Sequence, residues 1–143
     1  MSNFVIKQTR FHDDENAIRL IREQVFINEQ HVPVELEWDG LDDEAIHLLV
    51  TTNKHPVATA RLLADGHIGR MAVLPGFRRQ GIGSTMLSRL VELAKQKGLS
   101  SVFLSAQVAA IDFYQKHGFT IDSDVYMDAG IPHRDMVLGF TDK

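Results

Sequence analysis

The segment Met71-Ala72-Val73-Leu74-Pro75-Gly76-Phe77-Arg78-Arg79-Gln80-Gly81-Ile82-Gly83-Ser84 brings together groups that can hold an anion. An apolar strand runs into a tight loop, and the loop opens into a helix. The first amides of a helix have no partner within it and point outward as donors. The aligned peptide dipoles add about half a positive charge at that end. Gly81 and Gly83 bracket the first turn and let an anion come close to the backbone. Ser84 and Thr85 add hydroxyls, and Arg78 and Arg79 stand one step upstream, where guanidinium groups can balance phosphate charge. The arrangement suits a pyrophosphate. The same letters also describe a glycine-rich helix start preceded by a solvated arginine turn.

Two rival phosphate loops fail on their letters. A Walker loop closes on Gly-Lys-Ser/Thr, which is absent. A dinucleotide loop needs a third glycine where this chain has Met86, and an acid at the end of the next strand, where it has Ser105 and Ala106. There is no Cys. That removes disulfides, thiolate metal sites and a cysteine nucleophile, and it fits a reducing compartment. Glu35, Glu37, Asp39, Asp42, Asp43 and Glu44 make an acidic stretch. A calcium loop starting at Glu35 would have Gly40 at its sixth place, but Ile46 stands where a bidentate Glu is required. No His spacing suits zinc. No metal is expected. The acidic stretch reads as a solvated loop, with attraction of a cationic amine as the functional alternative.

These groups need a scaffold, and the chain reads as alternating strands and helices. Phe4 to Thr9 reads as a strand. Asp13 or Asp14 offers an N-cap to a helix in which Ile18, Ile21 and Val25 recur at helical spacing, ending near Asn28 or Glu29. His31 to Glu44 reads as a loop broken by Pro33 and Gly40. Ala45 to Thr52, Val57 to Leu63 and Ile68 to Leu74 read as an antiparallel meander, because their connections are short. A helix from about Gly81 to Lys97 carries Met86, Leu87, Leu90, Leu93 and Ala94 on one face, with Gly98 closing it. Ser101 to Ser105 reads as a buried strand, since Val102, Phe103 and Leu104 are contiguous. The strand, helix and strand imply a parallel step. Ala109 to His117 reads as a shorter helix, and Thr120 to Tyr126 and Asp135 to Phe140 as terminal strands. The fold class is α/β with a mixed, largely antiparallel sheet flanked by helices, in a single domain over residues 1–143.

Composition bounds the partners. Lys plus Arg is 15 and Asp plus Glu is 19, a formal charge of −4. No basic excess marks a nucleic-acid binder. No run of about 20 apolar residues suits a membrane span, and the start has no apolar stretch of signal-peptide length. No nucleic acid and no membrane are expected as partners, and the expected location is cytoplasmic.

The pattern Arg78-Arg79-Gln80-Gly81-Ile82-Gly83 resembles the acyl-CoA pyrophosphate loop of the GNAT superfamily of N-acetyltransferases. Upstream, Arg70-Met71-Ala72-Val73 looks like the strand that carries the acetyl thioester. Downstream, Ala109 to Phe119, with its Phe-Tyr-Gln-Lys-His-Gly-Phe ending, is similar to the family's helix closing in Tyr-x-x-x-Gly-Phe. Phe26-Ile27-Asn28-Glu29-Gln30, Val32-Pro33, Glu35 and Asp128-Ala129-Gly130-Ile131-Pro132-His133 look like a bacterial branch of small, largely uncharacterised members. One departure stands at Gln107, where many members carry an Asn that bonds the pantetheine arm; Gln keeps the amide on a longer stem.

The resemblance implies a fold in which the strands before Pro75 and after Gly98 are parallel neighbours that splay at their C-terminal ends. It implies acetyl-CoA as co-substrate, held by Met71, Ala72, Val73, Arg78, Arg79, Gln80, Gly81, Ile82, Gly83, Ser84, Gln107, Ala110, Phe113, Tyr114 and Lys116. A primary amine of a small molecule or peptide would attack the thioester directly, with the Val73 N–H as oxyanion donor and Tyr114 as the acid for the leaving thiolate. Phe113 should then pack inward and Tyr114 face the cleft. Candidates for the base are Glu29, Glu35, Glu37, Asp39, His47 and His133, with Glu35 and Glu29 put forward because they flank the loop bordering the acceptor side. His47 reads as a histidine at the sheet surface. The alternative function is a non-catalytic acyl-CoA-binding regulatory or interaction module. A homodimer is left open.

Overall fold

A computed structural model describes residues 3–140. β1 (Phe4–Thr9), β2 (Ile46–Thr52), β3 (His55–Leu62) and β4 (Ile68–Val73) form an antiparallel sheet in that order. Successive side chains of a strand alternate between faces. Ile46, Leu48 and Val50 therefore cluster with Met86, Leu87 and Leu90 of α3 (Ile82–Gln96). Leu49 clusters instead with Ile21 of α1 (Glu15–Arg22) and with Val25. Helices thus cover both faces of β2. His47 shares the face of Leu49, so α1 buries it; it is not at the surface, as expected from the sequence, but 1% exposed.

The first helix ends where the spacing predicts, but in a different form. Glu23–Glu29 is π-helical, and Gln30 N–H donates to the Val25 carbonyl at 3.1 Å. Such segments widen a helix locally and often border functional sites. The expected loop after it holds a single turn, α2 (Val34–Glu37).

β5 (Ser101–Gln107) follows α3, and α4 (Ile111–Lys116) follows β5. The expected strand from Thr120 to Tyr126 divides into β6 (Thr120–Ile121) and β7 (Tyr126–Asp128), and β8 begins earlier than expected, as Ile131–Gly139. β8 pairs antiparallel with β5, β6 and β7. Phe103 breaks the expected run of buried residues in β5: the strand alternates, and Phe103 is 37% exposed, stacked on His67 at 4.9 Å.

The two sheets meet at one parallel bridge, His67 with Phe103, where Phe103 N–H donates to the Gly66 carbonyl at 3.1 Å. Beyond it the expected splay is present. Its local cause is a bulge in β4. Thr59 pairs with Ala72 and Arg61 with Gly69, so Arg70 and Met71 together oppose Ala60. Arg70 takes a left-handed backbone, φ 51°. A bulge of this kind bends its strand and disrupts the ladder.

The acidic stretch is partly inside the protein. Glu37 and Asp42 are buried, together with Arg22 and Arg61. Arg22 Nε donates to Glu37 Oε2 and Nη1 to Asp42 Oδ1, both at 2.7 Å. Arg61 donates to Asp39 and Asp42, and Arg70 to Asp39 Oδ2 and to the carbonyls of Leu36 and Glu37. Arg70 Nε also lies 3.2 Å from Glu37 Oε2, an ion pair whose angle falls short of a hydrogen bond. Three arginines balance three acids, which is why the stretch is not the solvated loop expected. Burial raises the Glu37 carboxyl despite Arg70 and Arg22. Burial also acts to raise Asp39, but bonds from Arg61 and the Leu41 N–H, with the charges of Arg61 and Arg70, outweigh it and bring it to about 2.

Removing one partner of a buried ion pair leaves an uncompensated charge. Arg22→Ala is expected to lower stability by about 3–5 kcal/mol, read by urea unfolding with Trp38 fluorescence; Trp38 stacks on Arg22 at 4.7 Å. A loss below about 1 kcal/mol would contradict the network's role. Asp39 sits below its ordinary value in the folded protein, so its contribution is present above about pH 4 and is lost as pH falls toward 2. Asp39→Asn should flatten the stability profile in that window, and an unchanged slope would contradict the pairing.

Candidate functional site

A cleft of about 540 Å³ occupies the gap where β4 and β5 diverge. Its walls come from five places. Gly69 to Val73 of β4 form one side and Leu104, Ser105 and Gln107 of β5 the other. Val25, Phe26, Gln30, Val32, Leu36 and Glu37 close it from the π-helix and α2, and Asp128, Ala129, Ile131 and His133 from the β7–β8 turn. Gly83, Ala110, Phe113 and Tyr114 complete it beside α3 and α4. A second concavity, of about 500 Å³, is an open dish lined by Lys7 to Arg10, Asp13 and Asp14, whose Lys7 and Asp14 pair with each other at 3.0 Å.

The backbone of β4 offers a donor to this gap. Leu74 N–H donates to the Val57 carbonyl at 2.9 Å, while Ala58 stands opposite Val73. In an antiparallel ladder that geometry makes Ala58 and Val73 a non-hydrogen-bonded pair. The N–H and C=O of Val73 therefore turn away from β3, toward the gap. Arg78 Nε donates to that Val73 carbonyl at 2.8 Å, and Val73 lines the cleft.

The glycine loop folds as the sequence predicts, with two differences. Gly81 caps α3 in a left-handed conformation, φ 85° and ψ 5°, and Thr85 N–H makes the first helical bond to its carbonyl at 3.0 Å. The amides of Ile82, Gly83 and Ser84 precede that bond and are the helix's orphan donors. The hydroxyls, however, are engaged: Thr85 Oγ1 donates to the Gly81 carbonyl at 2.8 Å, and Ser84 Oγ bonds His117 Nε2 at 3.0 Å. Arg78 is engaged as well. Its two terminal nitrogens donate to Glu29 at 2.8 and 2.6 Å, tying the π-helix to the loop. The direct bond from Arg78 lowers the Glu29 carboxyl. Arg79 and Gln80 are exposed.

Tyr114 lines the cleft, and its hydroxyl has one weak partner among the described residues, Met71 Sδ at 4.0 Å. Burial pushes the phenol up to about 12, so it stays protonated at neutral pH. Phe113 packs against the core as expected, and it also lines the cleft, its ring 5.1 Å from that of Tyr114 and edge to face. Gln107 Nε2 donates to Gln30 Oε1 at 2.8 Å, a bond that reaches from β5 to the end of the π-helix. Lys116 is exposed and stands outside the cleft lining. The carboxylates of Glu29 and Glu35 also stand outside it, Glu29 paired with Arg78 and Glu35 exposed. Glu37 is the carboxylate of that region that lines the cleft, together with His133 from β8. Asp39 and His47 do not. Arg70 and Phe26 stand in the motifs quoted from the sequence but were given no role in the site; an arginine just before the Met-Ala-Val run was the available signal for the first.

A family model described as acetyltransferase (GNAT) domain matches residues 9–140. The chain is 39% identical over 121 residues to the uncharacterized N-acetyltransferase YjcF of Bacillus subtilis, covering 82% of this chain and 86% of that protein. It is 32% identical over 125 residues to ElaA of Escherichia coli, 82% of each. Among solved structures, an acyl-CoA N-acyltransferase from Pseudomonas aeruginosa superposes with a TM-score of 0.86 at 30% identity, over 96% of this chain and 100% of the other. A GNAT acetyltransferase from Elizabethkingia anophelis with acetyl-CoA bound shares the fold, with a TM-score of 0.72 at 20% identity over 98% and 100%.

The two loop glycines should respond differently to a methyl group. Gly81 needs its left-handed backbone, whereas a Cβ on Gly83 would meet Phe113 Cζ at 3.6 Å, an ordinary contact. Gly81→Ala should cost about 1–2 kcal/mol, and Gly83→Ala should stay within about 0.5 kcal/mol of wild type. Equal losses in chemical denaturation would contradict the assignment of the cap to Gly81.

Proposed function

We propose, for a chain that belongs to the acetyltransferase (GNAT) family, that it moves an acetyl group from acetyl-CoA to a primary amine by direct attack. When bound, acetyl-CoA supplies a thioester already activated toward an amine. The residues present fit that group on three counts. The orphan amides at the start of α3, with those of Arg79 to Gly81, form a cradle suited to a pyrophosphate. The splayed strands leave a slot into which an extended arm can enter and pair with β4 as an added strand does. Val73 turns an N–H toward that slot, suited to the oxygen on which charge develops.

The observation that carries the reading is the Tyr114 hydroxyl. Among the described residues its one partner is the Met71 thioether, so the hydroxyl is left to bond what enters the cleft. As the acid, it would hand its proton to the departing sulfur. A phenol held near 12 is a weak acid, but the burial that raises it also raises a thiolate in the same cleft, which narrows the mismatch. Asp128 gives the acceptor side an acidic group, and Phe26, Val32, Leu36 and Ile131 give it apolar ones. The acceptor is accordingly read as a small-molecule or peptide amine.

Free thiol released from acetyl-CoA is the readout, with phenethylamine, spermidine, glucosamine and a peptide with a free N-terminus as acceptors. Tyr114→Phe keeps the ring and removes the proton donor. Turnover should fall by about 10²-fold or more, with acetyl-CoA affinity little changed. Equal turnover would mean that water protonates the thiolate. Gly83→Asp should weaken acetyl-CoA binding at least about tenfold in calorimetry, by bulk and like charge at the cradle. Undiminished affinity would remove the cradle, and binding without turnover toward any amine would favour the binding-module alternative.

A further inference from the structure

Direct attack leaves one role without a residue: the amine must lose a proton. His133 lines the same cleft as Val73 and Tyr114. It stands on β8, opposite Gln107 of β5 on one side and Tyr126 of β7 on the other. It is 8% exposed, and its ring stacks on Tyr126, centroids 6.0 Å apart and 21° from parallel. Its Nδ1 lies 2.7 Å from the Ile131 carbonyl oxygen. A carbonyl only accepts, so Nδ1 must carry the proton and donate it. That fixes the tautomer and leaves the lone pair on Nε2. Among the described residues Nε2 has no hydrogen-bond partner.

The other titratable groups facing the cleft are engaged elsewhere or open to solvent. Glu37 accepts from Arg22 at 2.7 Å and pairs with Arg70 at 3.2 Å. His67 is stacked on Phe103 at the bridge between the sheets. Asp128 is exposed at the rim. Tyr126, against the His133 ring, bonds Ser105 and Asp135. Tyr114 is already placed as the acid. His133 alone combines enclosure, a fixed ring and a free basic nitrogen.

We propose that His133 Nε2 accepts the proton of the attacking amine and is the general base of the transfer, an assignment that rests on the transferase reading above. The nitrogen lone pair of the amine forms the N–C bond to the acetyl carbon, and the C–S bond breaks. The proton leaves the nitrogen for His133 Nε2, while the Tyr114 hydroxyl gives its proton to sulfur. One amide and one thiol result. Exchange with solvent takes the proton from the imidazolium and restores the phenol, so the net reaction balances.

The test has two arms. The first needs no acetyl-CoA: nitrogen–proton correlation NMR on the wild-type protein should find the His133 proton on Nδ1. The second uses His133→Gln, which keeps a side chain of similar reach, with acetyl-CoA and the acceptor amines named above. Its kcat should fall by about 10²- to 10⁴-fold, with acetyl-CoA affinity in calorimetry within about twofold of wild type. The wild-type kcat profile, taken at saturating acetyl-CoA and amine so that the free amine's own ionisation drops out, should show an acid limb that the variant lacks. A proton found on Nε2, or a variant that keeps wild-type kcat and that limb, overturns the assignment. If the variant does not fold, the tautomer decides. A wild-type protein that turns over no amine overturns the transferase reading instead, and this failure is distinct because it precedes any change at His133.

Discussion

Arg70 holds β4 in a shape that a regular ladder would not have. Its backbone is left-handed, a conformation that costs a non-glycine residue about 1–2 kcal/mol. Bonds to Asp39 and to the carbonyls of Leu36 and Glu37 offset that cost. The bulge at Arg70 and Met71 bends the strand away from β5 just past the single parallel bridge. Everything in the cleft follows from this bend. It opens the slot, leaves the Val73 N–H without a neighbouring strand, and sets Met71 beneath the Tyr114 hydroxyl. A flat pairing of β4 with β5 would have satisfied the same backbone groups and left no site.

The acids that anchor Arg70 also place the opposite wall. In α2 and the turn after it, two charged residues point in while apolar ones point out. Glu37 and Asp42 are buried, while Val34 is 55% and Leu36 51% exposed. The segment is held by ion pairs with Arg22, Arg61 and Arg70 rather than by a hydrophobic face. Such pairs are directional, and they fix position at the expense of desolvating each charge. Because the network is balanced, it adds structure at the acceptor side with little net charge. The charge asymmetry of the site is left to the helix amides at one end and to Asp128 at the other.

The sequence made the local features legible and hid those that depend on distant partners. The loop through Arg78 and Gly81 was readable because helix-start chemistry is local, and Gly81 does adopt the left-handed cap. The meander was readable from its short connections. The burial of His47 was not, because it depends on α1 lying across that face of β2. The acidic stretch was misread for a similar reason: its partners are 15 to 22 residues away along the chain for Arg22 and Arg61, and farther for Arg70. Arg78 looked free for phosphate because nothing local announces Glu29. Phe103 looked buried because a contiguous apolar run suggests a strand covered on both faces, and this one is covered on one.

A crystal structure of the protein with acetyl-CoA tests the central claim most directly. The pyrophosphate is expected on the amides of Arg79 to Ser84, the pantetheine arm between β4 and β5, the thioester oxygen toward the Val73 N–H and the sulfur within reach of the Tyr114 hydroxyl. Acetyl-CoA found outside the gap, or a gap closed by pairing of β4 with β5 beyond the His67–Phe103 bridge, would contradict it.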